Sequence, residues 1–219
     1  MQRVVKIIAT LSLFAVSSIY FPTISSAAQT KKPTSVICKK TTAKAHSVKN
    51  ITPPEVIPLF KNKVFTLFTN CGEIVIEADA KNAPITVTAL AALAKGGFYN
   101  KTLCHRLTLN NIFVLNCGDP TGTGMGGPNF TYRDENLPQD VQANYPAGTV
   151  AMENSGANTN GSQFFIVYED TSMDPNFTIW GRVTKGLEII KAIAKEGVVD
   201  GSLAGFPKRT IAIEKVRVR

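Results

Sequence analysis

Short segments in which apolar and polar residues alternate recur along this chain from Val64 to its last residues. Residues 64–69 alternate in this way, residues 70–72 (Asn-Cys-Gly) have turn chemistry, and residues 73–77 return in the same pattern. This arrangement predicts a β-hairpin, because successive side chains of a strand point to opposite faces. Residues 211–218 alternate just as regularly. Further short strands are predicted at residues 104–107, 112–116, 149–152, 164–167 and 178–183.

Two other segments have helical patterns. Pro84 precedes the run 85–95 and two glycines follow it, which suits the first and last positions of a helix. Residues 187–196 repeat the pattern, again with a glycine before and after. The chain therefore holds about eight strand segments and two helices without a β-α-β rhythm, which favours an antiparallel barrel with helices at its ends.

The first residues are typical of an export signal. Arg3 and Lys6 supply the positive end, residues 7–21 are mostly apolar, and Ser26-Ala27-Ala28 fits a cleavage site between small residues. The apolar run is shorter than the ~20 residues needed to span a bilayer. We therefore predict a signal peptide at 1–28 and an extracytoplasmic protein, secreted or associated with the cell envelope. An uncleaved membrane anchor is the alternative.

The net charge of +8 is concentrated near the front of the chain. Residues 29–63 contain eight basic residues and one acid, Glu55, whereas residues 64–219 contain 14 basic and 15 acidic residues. A basic tail without a basic folded face does not indicate nucleic-acid binding. We predict a flexible tail at 29–62, acting either as a solvated tether or as a contact to an anionic envelope surface, followed by a folded domain at 63–219.

The four cysteines are Cys38, Cys71, Cys104 and Cys117. Export would place them in an oxidising compartment, where disulfides form. Cys104 and Cys117 are expected on strands that flank a short loop, close enough to pair, although four cysteines allow three full connectivities. No Cys-x-x-Cys occurs and the chain has two histidines, so we expect no metal site.

Several motifs that suggest other functions lack the context those functions need. Residues 122–127 satisfy Gly-x-Gly-x-x-Gly, but Pro120 precedes them and Pro128 follows, so no helix can begin there to hold a pyrophosphate. These glycines are expected to shape a surface loop. Ser162 has no nucleophile elbow around it, and the predicted domain has a single histidine, His105, to serve as a base. Dinucleotide binding and serine hydrolysis are therefore disfavoured.

A group of uncharged amides and aromatic residues is harder to explain structurally. Residues 154–163 contain three asparagines and Gln163, and Phe165 follows, while Arg106 lies beside the pair Phe113-Val114. The phenylalanines could be ordinary core residues, and the arginine could form a surface ion pair. The clustered amides, however, can hydrogen-bond a bound backbone in both senses. They therefore predict a groove for an extended peptide.

Taken in order, these residues resemble the signature of cyclophilin-type peptidyl-prolyl cis/trans isomerases, and the His-Arg-Leu-Thr form is similar to the actinobacterial branch. The resemblance runs from about residue 64 to residue 219. It implies a mainly β fold, a closed eight-stranded antiparallel barrel capped by two α-helices, with no cofactor. The residues that carry it are His105-Arg106, Phe113, residues 118–124, residues 126–128, Asp134-Glu135, Met152, Asn154 and residues 158–166.

The resemblance also implies roles for single residues. Arg106 matches the catalytic arginine, which would donate a hydrogen bond to the proline nitrogen as the amide twists. The implied substrate-binding residues are Phe113, Val114, Asn116, Glu153, Asn154, Gln163, Phe165, Met173 and Phe177.

Several positions depart from the family's usual pattern. Asn116 stands where glutamine is usual, and its shorter side chain puts the orientation of Arg106 in question. Glu153 stands where a small residue is usual. Phe177 stands where histidine is common, and Met173 where leucine is usual. Ser172 replaces a tryptophan that helps to bind cyclosporin, so weak cyclosporin binding is expected.

The resemblance therefore predicts a monomeric, exported isomerase that accelerates X-Pro rotation in proline-containing polypeptide clients during the folding of secreted proteins. Two alternatives are open at this point. One is a non-catalytic proline-peptide-binding module or holdase chaperone, and the other is a surface adhesin held by the lysine-rich tail.

Overall fold

A computed structural model describes residues 35–52, 54–56 and 63–219. The described residues form ten strands and two helices. In chain order these are β1 (Lys63–Thr69), β2 (Gly72–Ala78), α1 (Pro84–Lys95), β3 (Thr102–Leu103), β4 (Arg106–Thr108), β5 (Val114–Cys117), β6 (Thr149–Met152), β7 (Phe164–Val167), β8 (Ile179–Lys185), α2 (Leu187–Ala194), β9 (Ala204–Gly205) and β10 (Ala212–Val218). No helix within these residues is both long and apolar enough to cross a membrane.

All ten strands belong to one curled antiparallel sheet in the order β3-β10-β1-β2-β8-β6-β7-β5-β4-β9. The mainly β fold, the antiparallel pairing and the two helices are as expected, but the closed eight-stranded barrel is not. The difference arises in the segment 102–108, which was expected to hold one strand. Cys104 N–H bonds to Ile211 on one side, whereas His105 N–H bonds to Asn116 on the other, so the segment contributes β3 and β4 to distant parts of the sheet. The two-residue strand β9 then pairs with β4.

The main core lies between one face of the sheet and the helices. Trp180 of β8 is almost fully buried and makes edge contacts with the rings of Phe65 and Phe164, at 5.2 and 5.8 Å between centroids. Leu93 of α1 and Ile193 of α2 are buried in the same cluster. This packing fixes both helices against the sheet through apolar burial.

Alternate residues of β5, β6 and β7 point away from this core. Val114, Ala151, Phe165 and Val167 are buried in a second, smaller apolar cluster with Tyr145. The period of two in a strand explains the split, since the neighbours of these residues face the main core. The sheet therefore carries apolar residues on both faces at this point.

Residues 35–52 differ from the flexible tail that the sequence predicts for residues 29–62. Cys38 is joined to Cys71 by a disulfide, Lys39 N–H donates to the carbonyl of Asn70 (2.8 Å), and His46 N–H donates to the carbonyl of Pro120 (2.9 Å). Partly buried apolar side chains, among them Val48, pack on the main core, while the lysines are exposed. We call residues 35–52 the strap. The predicted signal peptide at 1–28 and residues 29–34 lie outside the described residues.

Candidate active site

A cavity of about 580 Å³ lies beside the exposed end of the β4–β5 pair. Its walls come from the glycine-rich loop after β5, the amide-rich loop between β6 and β7, and the segment that contains β9. Among the residues expected to bind substrate or catalyse, the structure places Arg106, Asn116, Glu153, Asn154 and Gln163 in the walls of this cavity. Residues that are up to 57 positions apart in the sequence, from Arg106 to Gln163, are thus brought to one site.

Arg106 and Asn116 face each other across the β4–β5 pair. A disulfide between Cys104 and Cys117 ties the same two segments together, which is the pairing expected from the sequence. Asn116 is buried, whereas Arg106 is exposed at the cavity. Within the described residues no hydrogen bond or ion pair occupies the guanidinium of Arg106, so its fixed donors are available to a ligand.

Glu153 is the partner of Asn116. The side-chain amide of Asn116 donates to Oε2 of Glu153 (2.6 Å), and the backbone N–H of Glu153 donates to the carbonyl of Gln163 (2.9 Å). Burial raises the pKa of Glu153, and the hydrogen bond from Asn116 and the positive charge of Arg106 oppose that rise without cancelling it. A carboxylate therefore lies within electrostatic reach of the arginine.

Asp119 organises the glycine-rich wall. Its carboxylate accepts backbone N–H groups from Thr121 (2.7 Å), Thr123 (3.0 Å), Gly124 (2.7 Å) and Gly126 (3.1 Å). Burial alone would raise the pKa of Asp119, but the hydrogen bonds from Thr121, Gly126 and Gly124 outweigh it, and the pKa is lowered. The glycine-rich motif at residues 122–127, which resembles a dinucleotide-binding motif, therefore forms a loop around the buried carboxylate of Asp119.

Gln163 fixes that loop to the opposite wall. Its side-chain nitrogen donates to the carbonyls of Gly124 (3.0 Å) and Gly126 (2.8 Å). Across the cavity, the side-chain nitrogen of Asn154 donates to the carbonyl of Asn176 (2.9 Å). Both amides are held in place before any ligand binds, so the walls are preorganised.

The second apolar cluster holds most of the residues expected to receive a proline ring. Met173 and Phe177 pack against Val114 and Phe165, and the rings of Phe165 and Phe177 meet edge to face at 5.5 Å. Phe113 is not part of this cluster. Its ring packs on Tyr168 at 5.9 Å on the side of the main core.

This site and fold allow a direct comparison with known proteins. The family model described as cyclophilin type peptidyl-prolyl cis-trans isomerase/CLD matches residues 64–218. The chain belongs to this family. The match begins and ends within one residue of the segment expected from the sequence, and it covers every site residue described above.

Two mycobacterial members of the cyclophilin-type family are 40% identical to the chain. One, from Mycobacterium leprae, aligns over 164 residues, which are 70% of this chain and 56% of the relative. The other, from Mycobacterium tuberculosis, aligns over 162 residues, which are 69% of this chain and 53% of the relative. Both are named probable peptidyl-prolyl cis-trans isomerase B. The chain thus spans about half the length of these relatives.

Solved structures of the family show the same fold. The crystal structure of a cyclophilin-type peptidyl-prolyl cis-trans isomerase from Cryptosporidium parvum is 26% identical and superposes with a TM-score of 0.63. The superposition covers 73% of this chain and 98% of the chain in the crystal structure. A second structure of that protein was determined in the presence of the dipeptide Ala-Pro, and it superposes with a TM-score of 0.62.

Two residues at this candidate site, Tyr145 and Phe206, were not singled out from the sequence. Tyr145 is fully buried between Phe165 and Phe177, and burial raises its pKa to about 12, so the hydroxyl stays neutral. Phe206 lines the main cavity although 49% of its surface is exposed. The sequence does contain a signal for Phe206, because an aromatic residue there stands between Gly205 and Pro207.

His105 is the remaining titratable group in the wall. Burial lowers its pKa and outweighs the opposing effect of Asp119, and Arg106 lowers it further. The imidazole is therefore neutral at pH 7. The charge at this end of the cavity consequently comes from Arg106 and Glu153.

Proposed function

We propose that the protein is a peptidyl-prolyl cis/trans isomerase in which Arg106 is the catalytic residue. The observation that carries the proposal is the position of Arg106: an exposed guanidinium, with no partner among the described residues, at the wall of a cavity with preorganised amides. The family to which the chain belongs supports the same activity. The names of the mycobacterial relatives agree with it.

The chemistry requires no covalent step. Amide resonance gives the X-Pro bond a rotational barrier of ~20 kcal/mol. Twisting the bond removes that resonance and returns a lone pair to the proline nitrogen. A catalyst must therefore bind the twisted amide more tightly than either planar isomer. Arg106 can do so by donating a hydrogen bond to the nitrogen, because its guanidinium is always charged and its donors are rigid.

The other groups of the site hold the substrate while the bond turns. The second apolar cluster, with Met173 and Phe177 partly exposed at its edge, offers a surface for the proline ring. Asn154 and Gln163 lie in the cavity wall, where Gln163 holds the glycine-rich loop and the backbone of Asn154 can hold the peptide on one side of the bond. With one side held, rotation of the other side is an intramolecular motion.

A comparison of two arginine variants tests this function. Exchange between cis and trans isomers of a proline peptide would be measured by NMR with the purified protein. The wild type should accelerate exchange, and Arg106→Ala should reduce kcat/KM by about tenfold or more, since it removes a donor used in the transition state. Arg182→Ala removes an exposed arginine of β8 and should leave the rate unchanged. A wild type that does not accelerate exchange would refute the proposal.

A non-catalytic proline-peptide-binding module is the second candidate. The observation that favours it is the carboxylate of Glu153 in the same cavity wall as Arg106, since a negative charge there could weaken the arginine as a donor. Such a module would shift the NMR signals of a proline peptide, with saturable affinity, while exchange stayed at the rate seen in buffer. The same titration therefore separates the two functions.

We infer in addition that the protein is exported and acts on secreted polypeptides as a monomer. The pattern of residues 1–28 supports export. So do the two disulfides, Cys38–Cys71 and Cys104–Cys117, since such bonds persist in oxidising compartments. Cell fractionation of the full chain and of a chain lacking residues 1–28 tests this: the first should be found outside the cytoplasm and the second inside. Light scattering of the purified protein tests whether it is a monomer, because it measures the molar mass in solution.

Contact with the cell envelope is a separate proposal. Four lysines of the strap are exposed and could bind an anionic surface. Replacing Lys39, Lys40, Lys44 and Lys49 by alanine should then release the protein from the envelope at physiological salt. Unchanged retention of this variant would contradict the proposal.

A further inference from the structure

Asn116 and Glu153 form a polar pair at the base of the cavity. Only 3% of Asn116 is exposed, and its amide nitrogen donates to Oε2 of Glu153 at 2.6 Å. The pairing of β4 with β5 puts Arg106 opposite Asn116. One N–H of the Asn116 amide is therefore used for Glu153, and within the described residues the amide oxygen accepts no hydrogen bond from Arg106.

The backbone around Glu153 keeps the carboxylate in this position. Glu153 directly follows β6, and its N–H donates to the carbonyl of Gln163 (2.9 Å). The carboxylate consequently has a fixed backbone, a hydrogen bond from a buried amide, and a partly buried position in the cavity wall. A charge held in such surroundings acts more strongly on its neighbours than a charge in water.

Arg106 is the charged side chain that acts on Glu153. Both side chains lie in the wall of the same cavity, and the positive charge of Arg106 opposes the rise in the pKa of Glu153. They do not form an ion pair within 4.0 Å in the described part of the chain. Glu153 thus attracts the guanidinium without consuming its hydrogen-bond donors. Among the neighbours of Arg106, His105 is neutral, and Asp119 acts on that histidine.

We propose that Glu153, held by Asn116, is a positioning residue that keeps Arg106 directed over the peptide bond. The proposal rests on the isomerase function proposed above. It also explains why two departures from the family's usual residues occur together. The shorter amide of Asn116 has a carboxylate as its partner, and the carboxylate provides the attraction that orients the arginine.

The ionised form of Glu153 is the one that positions the arginine. When the pH falls through the pKa of Glu153, the carboxylate gains a proton and its attraction for Arg106 is lost. Because burial raises that pKa, the loss should begin at a higher pH than for an ordinary glutamate. kcat/KM should therefore decrease towards acid pH in the wild type.

Four variants test the proposal by NMR exchange: Glu153→Gln, Glu153→Ala, Asn116→Gln, and the double variant Asn116→Gln/Glu153→Ala. Glu153→Gln and Glu153→Ala should each lower kcat/KM by roughly three- to tenfold, mainly through kcat, because substrate binding is retained while the arginine is less well oriented. The double variant should be more active than either Asn116→Gln or Glu153→Ala alone. In it, a longer amide at position 116 faces an alanine at position 153 and can reach Arg106. Asn116→Gln alone should lower activity, because the longer amide and the carboxylate compete for the same space.

The pH profile separates positioning from a general structural effect. Glu153→Gln should lose the acid inflection of kcat/KM, whereas Glu169→Gln, which changes an exposed carboxylate after β7, should keep it. Glu153→Gln conserves shape and decides the question if Glu153→Ala fails to fold. Wild-type kcat/KM and an unchanged pH profile in Glu153→Gln would overturn the inference while leaving the isomerase function intact. An inactive wild type would instead refute the isomerase function itself.

Discussion

Cys104, two residues before Arg106, forms a disulfide with Cys117, one residue after Asn116. Both sulfur atoms are buried at the point where the segment 102–108 crosses from one part of the sheet to another. The bond therefore sets the distance between the two strands that present these residues. Its loss should affect the site more than the remainder of the fold.

We expect the double variant Cys104→Ser/Cys117→Ser to lower kcat/KM for a proline peptide, because β4 and β5 would no longer be covalently tied beside the cavity. The disulfide closes a loop of 13 residues, for which the chain-entropy relation gives about 3 kcal/mol of stability. Activity and urea unfolding would be measured on the same samples. A variant with full activity and reduced stability would show that the bond supports the fold and not the site.

The strap gives a contrasting prediction. The disulfide Cys38–Cys71 spans 33 residues, so its removal should cost about 3–4 kcal/mol in the free energy of unfolding. Catalysis should be nearly unchanged at 25 °C, since neither cysteine lines the cavity. Limited proteolysis of Cys38→Ser/Cys71→Ser should cut within residues 35–52 before the rest of the chain. Equal resistance of the two proteins to protease would contradict the role assigned to the bond.

Glu135 caps helix α1 from a distant loop. Ala83, which precedes the helix, offers no side-chain cap, and the carboxylate of Glu135 accepts the N–H groups of Ile85 (3.1 Å) and Thr86 (2.9 Å). Glu135→Ala should therefore lower the free energy of unfolding by about 1–2 kcal/mol, as expected when the cap and the favourable charge at a helix N-terminus are lost. Denaturant unfolding would measure this loss.

Glu188 provides the matched control for that cap. It lies in the first turn of α2 and is exposed, so Glu188→Ala removes a charge near a helix N-terminus without removing a hydrogen-bonded cap. Its effect should be a few tenths of a kcal/mol. Equal losses in the two variants would show that charge alone, and not the hydrogen bonds of Glu135, stabilises α1.

The features that the sequence predicted well are those set by local pattern. The hairpin of β1 and β2 follows from a period of two with a turn at residues 70–72, and α1 begins at Pro84 and ends before Gly96. Each of these signals depends on residues within about ten positions of one another. The substrate-binding and catalytic residues were predicted instead from a long motif whose residues follow a fixed order. Five of these predicted residues line the cavity.

The features that were missed depend on contacts between distant residues. Asn116 and Glu153 are 37 positions apart, and neither residue indicates by itself that the other completes its hydrogen bond. The strap looked like a flexible tail because its lysines dominate the composition, whereas its apolar residues are spaced to meet a core that forms only later in the chain. Ten strands formed where eight were expected, because one segment bends at Cys104 and His105 and pairs on two sides, and because the unexpected strand β9 pairs with β4.

The glycine-rich wall allows a prediction in which two neighbouring glycines behave differently. A Cβ on Gly126 would fall against the carboxylate of Asp119 and 2.6 Å from Oγ1 of Thr121. A Cβ on Gly127 would meet its nearest neighbour, Oγ of Ser162, at 3.9 Å, which is an ordinary contact. Neither glycine has a positive φ, so backbone strain does not distinguish them.

Gly126→Ala should therefore force the loop away from Asp119 and lower the free energy of unfolding by about 1–3 kcal/mol, the usual cost of overpacking. Gly127→Ala should change it by less than about 0.5 kcal/mol. Both values would come from urea unfolding, with NMR signals of the amides of Thr123 and Gly124 as local reporters. The reporters should shift strongly in the first variant, because these amides donate to the carboxylate that the new methyl group displaces. If the two variants were equally stable and their loop amides unchanged, Asp119 could not be the centre around which this wall is built.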